Sequence, residues 1–129
     1  MANGIFQNST ATSEATGAAN QPRVLFSAQV PGSSVALGNA LRVTADLDAY
    51  PATANCTATV KLNGVTVQTV QVYEGTVIDV TIWRTGNTQG ETRFGALSGL
   101  SWAAGMALEI VGVSNIEGGC VLQRAGIQR

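Results

Sequence analysis

From Cys56 to Arg84 the chain reads CTATVKLNGVTVQTVQVYEGTVIDVTIWR, with apolar residues at nearly every second position. Ala58, Val60 and Leu62 alternate with Thr57, Thr59 and Lys61, the period of a strand with one buried face. Asn63-Gly64 accepts two positive φ values, as a type I′ hairpin turn requires, and Val65 and Val67 then resume the alternation. Val70 and Val72 stand in the opposite phase. A side-chain period of two changes phase only through an extra residue, so a bulge is expected near Gln68-Thr69. Glu74-Gly75 marks another turn. Ile78, Val80 and Ile82 predict the inward row of a third strand, with Asp79 and Thr81 facing outward; Asp79 is placed to pair with an arginine across the sheet.

The flanking segments repeat this texture. Residues 23–30 predict a strand with Val24, Phe26, Ala28 and Val30 on one face and Leu25 against the pattern. Residues 31–34 are a turn, residues 35–37 a short strand, and residues 41–47 a clean alternation of Leu41, Val43, Ala45 and Leu47 with Arg42, Thr44 and Asp46. Beyond Trp83, residues 85–92 read as a polar loop and 93–97 as a short strand. Residues 98–105 have no assignment. Residues 106–113 and 120–124 are further strands, followed by a tail. Seven to nine short strands, spaced by turn signals and with no convincing helix, predict an all-β fold. It is an antiparallel β-sandwich of jelly-roll or immunoglobulin-like order.

Residues 1–22, MANGIFQNSTATSEATGAANQP, differ from this body. They are small and polar with two large apolar residues, Ile5 and Phe6, and bury too little to order themselves alone. The expected organisation is an extended N-terminal arm, 1–22, ahead of a single sandwich domain, 23–129. Ile5 and Phe6 would anchor the arm on a neighbouring subunit; a frayed terminus is the alternative.

Composition adds limits. The 129 residues are 45% hydrophobic but only 12% charged, with a net charge of −1, so Thr, Ser, Asn and Gln must make the surface polar. Neutral hydroxyls and amides desolvate more cheaply than ions, which fits a surface buried in an assembly; Thr-rich outer strand faces explain it equally well. Seven basic residues spread singly along the chain give no cluster for phosphates, so nucleic acid is not an expected partner. No run approaches the length of a membrane span. Cys56 and Cys120 have no metal spacing. Two buried free thiols in a reducing cytosol are expected, with a disulfide between strands as the alternative.

The chain has no histidine, which removes the usual general base and the commonest metal ligand. Asp46 with Asp48, and Glu74 with Asp79, are the carboxylate pairs left for acid–base work, and each reads more simply as solvated or ion-paired. No enzyme activity, metal or cofactor is expected. Two aromatic-plus-cation pairs remain: Trp83-Arg84 before the polar loop and Arg93-Phe94 after it. If these segments are antiparallel neighbours, Trp83, Arg84, Arg93 and Phe94 converge into an interface cluster. Ordinary core or rim positions are the plainer reading of the tryptophans.

With its polar arm MANGIFQNSTATSEATGAANQP, all-β body and Thr/Ala/Gly/Val-rich, His-free, Lys-poor composition, the chain resembles small structural proteins of tailed-bacteriophage virions, in particular capsid decoration (cement) proteins. The resemblance covers the whole chain in style and rests on no motif. It implies a homotrimer made in the host cytoplasm and seated on the capsid surface. The major capsid protein would be its partner, the arm would clamp a neighbour, and no catalytic residues would be present. Two other readings stand beside it. One is a carbohydrate-binding or host-adhesion module using Trp83, Trp102 and Tyr73; the other is a tail-tube, connector or fibre subunit.

Overall fold

A computed structural model describes residues 5–51 and 53–128, with only the backbone described for residues 5–14. Among the described residues ten strands form two sheets, and every pairing is antiparallel. In chain order they are β1 (Ile5–Ala15), β2 (Arg23–Val30), β3 (Ala40–Ala49), β4 (Cys56–Leu62), β5 (Val65–Val72), β6 (Thr76–Arg84), β7 (Gln89–Thr92), β8 (Gly95–Ser98), β9 (Met106–Ser114) and β10 (Cys120–Gln128). The larger sheet runs β1-β10-β3-β6-β7-β8 and the smaller β2-β9-β4-β5. The inward rows of β3 and β6 meet those of β4 and β9 in one core, where Leu41, Leu47, Ile82, Leu62 and Leu108 are fully buried. Each such side chain contributes about 1.5–3 kcal/mol by leaving water. This is the antiparallel β-sandwich that the alternation predicts.

Asn63 and Gly64 both take positive φ, 53° and 76°, as the hairpin requires. The β5 irregularity lies slightly ahead of its expected place: Lys61 pairs with Thr66 and Val60 with Gln68, leaving Val67 as the extra residue. A second bulge corrects the reading of β2. Val24 pairs with Val111 and Phe26 with Ile110, so Leu25 is skipped in the register. Leu25 turns into the core while Val24 is exposed.

Four segments differ from the sequence reading. Residues 35–37 form no strand; Val35 is buried and Leu37 exposed within a loop. Part of the expected polar loop 85–92 pairs as β7, because Gly90 and Thr92 fit beneath it while Gln89 and Glu91 face outward. The tail continues β10 to Gln128, burying Ala125 and Ile127. The N-terminal segment is extended, and residues 5–15 lie along β10 as an edge strand of the chain's own larger sheet. The expected anchor, Ile5 and Phe6, falls at the start of β1, where the side chains lie outside the described residues.

The free-thiol expectation is corrected. Cys56 on β4 and Cys120 on β10 are joined by a disulfide, S–S 1.99 Å with Cα atoms 5.4 Å apart, which ties the two sheets together. Both cysteines face inward from opposing sheets at the same end of the sandwich, a relationship that 64 intervening residues conceal in the sequence. Thr16, just past β1, closes over the second of them. Its amide donates to the Cys120 carbonyl at 2.9 Å, and its hydroxyl accepts from the Cys120 amide at 3.1 Å.

Candidate functional site

The outer face of the larger sheet carries the chemistry. Because β3 and β6 pair with Arg42 opposite Thr81 and Ala40 opposite Trp83, the outward rows of the two strands run side by side. Arg42, Asp79, Thr81 and Trp83, joined by Arg93 from the β7–β8 turn, line a groove of about 450 Å³. Arg42 spans diagonally to Asp79 with a two-point ion pair: Nε donates to Oδ1 at 2.9 Å and Nη2 to Oδ2 at 2.6 Å. Such a fork fixes both planar groups. The paired hydrogen bonds from Arg42 hold the Asp79 carboxyl below the usual carboxylate range. Partial desolvation opposes this, and the charges of Arg42 and Arg93 add to it. The same hydrogen bonds, with the charge of Asp79, raise the Arg42 guanidinium. The expected cross-strand arginine partner of Asp79 is therefore Arg42.

Trp83 is 46% exposed and Phe94 53% exposed. The Arg93 guanidinium carbon lies 5.0 Å from the centroid of the Phe94 ring, within cation–π range. The antiparallel register explains the convergence. Trp83 stands opposite Glu91, so the β7–β8 turn that follows Thr92 brings Arg93 to the same groove. Of the four residues expected to cluster, Trp83 and Arg93 line this groove, and Phe94 is placed only by its contact with Arg93. Arg84 does not line it, because alternation turns it to the other face of β6. There its Nη1 donates to the Val35 carbonyl at 2.8 Å, Nε to the Gly86 carbonyl and Nη2 to Asn87 Oδ1, both at 3.2 Å. Arg84 braces two loops.

The other aromatic candidates separate. Trp102 is 1% exposed, and its indole N–H donates to the Gln89 carbonyl at 2.8 Å, so it is a core residue beneath β7. Tyr73 is exposed but precedes β6 at the opposite end of the sheet, roughly 23 Å or more from Trp83 at the usual rise per residue.

The carboxylate pairs also dissolve. Asp48 accepts from the Gly75 amide at 2.6 Å and from Gln123 Nε2 at 3.1 Å, holding the β5–β6 turn against β10. Asp79 is engaged by Arg42, and Glu74 lies in the turn before β6. Among the described residues no group of three or more His, Cys, Asp or Glu lies together, and no helix is long and apolar enough to cross a membrane. Sequence reasoning missed Arg42 and Thr81 as site residues. Their signal was present in the outward rows of β3 and β6, but it needed the β3–β6 pairing to be read.

In chemical terms the groove offers an exposed indole face, a hydroxyl and a rigid arginine–carboxylate pair, with a further guanidinium at its rim. No protein-family model matches the chain, and no curated protein matches its sequence. Among solved structures the chain is similar to the C-terminal domain of EclA, described as a sugar-binding protein. The TM-score is 0.55 at 8% identity, over 95% of this chain and 78% of that one. At that identity the likeness is one of fold.

Proposed function

We propose that this protein is a carbohydrate-binding module whose site is the groove of Arg42, Asp79, Thr81, Trp83 and Arg93. The observation that carries the reading is the half-exposed indole of Trp83 beside an ordered, solvent-facing ion pair in one groove. A sugar ring has an apolar C–H face and a rim of hydroxyls. It stacks on an aromatic plane and hydrogen-bonds to planar polar groups already fixed in place, which lose little freedom on binding. The Arg42–Asp79 fork and the Thr81 hydroxyl supply such groups. The sandwich fold shared with a sugar-binding domain supports the reading at the level of architecture.

Binding without chemistry is part of the proposal, since Asp48 and Asp79 are committed to structural hydrogen bonds. The capsid expectation rests on the style of the chain, and no feature of the groove selects a capsid partner. The test is a glycan-array screen of the full chain. Retention of a structurally related set of glycans, lost with Trp83→Ala, supports the proposal; an empty array refutes it.

A further inference from the structure

Arg93 is the member of the groove with an unused binding capacity. Its neighbour Arg42 spends its fork on Asp79. Arg93 makes no hydrogen bond to an acceptor among the described residues; it lies over the exposed ring of Phe94. Stacking on a ring restrains the plane of a guanidinium while leaving its edge donors open, which suits a planar anion better than a mobile lysine would. The three charged groups lining the groove, Arg42, Arg93 and Asp79, sum to one positive charge, within a chain of net charge −1. The nearest further carboxylate, Glu91, stands opposite Trp83 on the same outward face; it is not among the residues that line this groove and borders the neighbouring one with Gln89, Leu97 and Ser98.

Resting on the carbohydrate reading above, we infer that the preferred ligand is an acidic sugar, with the ring on Trp83 and its anionic substituent on the open edge of Arg93. Arg93 lines the same groove as Thr81 and Trp83, and Thr81 lies two residues along β6 from Trp83, roughly 6–7 Å. That is within the span of one ring and its exocyclic acid group. A carboxylate and a sulfate present the same paired oxygens to a guanidinium, so the shared chemistry is an anion on the ring, and the probes separate the two.

The test is calorimetric titration of the full chain with matched pairs: an oligogalacturonate against its methyl ester, sialyllactose against lactose, and a sulfated oligosaccharide against its desulfated form. The acidic member of at least one pair should bind about fivefold or more tightly than its neutral counterpart at low salt. The preference should shrink as salt rises. Arg93→Gln should bring the acidic and neutral members of the pair to equal affinity, with the melting temperature preserved. Arg124→Gln, which removes a cation outside the groove on the same sheet, should leave the preference unchanged. Equal binding of acidic and neutral members overturns this inference and leaves a neutral-sugar site. A preference that survives Arg93→Gln or falls with Arg124→Gln overturns the assignment to Arg93. Binding of neither member of any pair overturns the carbohydrate reading itself.

Discussion

Arg42 and Asp79 clasp each other across β3 and β6 through two hydrogen bonds of 2.9 and 2.6 Å, on a sheet face open to solvent. A pair this exposed adds little to folding stability, because water and salt screen it. Its effect is on order: it presents a fixed set of donors and acceptors beside Trp83 instead of two mobile side chains.

The pair makes a prediction about pH. The Asp79 carboxyl titrates below the usual carboxylate range, chiefly because Arg42 hydrogen-bonds its charged form. A depressed carboxyl contributes stability that is present above its unfolded pKa, about 3.9, and is lost as pH falls through the lower folded value. Carboxyl-carbon NMR titration should place Asp79 below that reference, and Arg42→Gln should move it upward. An Asp79 that titrates the same in both proteins would mean that the fork does not persist in solution.

The link between Cys56 and Cys120 predicts that no thiol titrates in denaturant without reductant, and that two appear after reduction. The bond closes a segment with a sequence separation of 64, and loop entropy for that length amounts to about 4 kcal/mol. Cys56→Ala with Cys120→Ala should therefore lower the melting temperature by roughly 10 °C or more. An unchanged melting curve would show that the sheets are held together without the bond.

Packing around the disulfide is tight at Gly112 on β9. A Cβ there would sit 2.7 Å from Leu25 Cδ1, 3.1 Å from Thr16 Cγ2 and 3.3 Å from Cys120 Sγ. Gly112→Ala should destabilise the fold by about 1–3 kcal/mol in denaturant unfolding, as overpacking does. Gly17→Ala, with nothing within 4 Å of the new atom, should stay within about 0.5 kcal/mol of the parent. Equal effects would contradict the close contact of β2, Thr16 and β9.

Much of the body is legible in the sequence. Alternation locates β3, β4, β5, β6 and β9 nearly to the residue, and Asn63-Gly64 locates their tightest turn, because each is a local rule. The failures are non-local. Leu25 appears out of phase until the Val24–Val111 and Phe26–Ile110 pairs reveal the bulge. β1 and β7 are polar segments, which become strands because β10 and β6 offer them unpaired backbone groups. The Cys56–Cys120 bond depends on two strands from different sheets meeting face to face. For the site, Trp83, Arg93 and Phe94 are conspicuous as residue types. Arg42 and Thr81 look like ordinary outward residues until β3 is laid beside β6.

The central claim is that Trp83 is a sugar platform, and the most direct measurement is glycan titration of the full chain and of Trp83→Ala, followed by tryptophan fluorescence and calorimetry. Trp102 is buried beneath β7, so a ligand-dependent change in emission reports on Trp83. The account predicts a saturable fluorescence change in the parent and at least a roughly tenfold loss of affinity in Trp83→Ala, with the melting temperature preserved. Glycan binding that is equally tight without the indole, or no glycan binding by the parent, would contradict it.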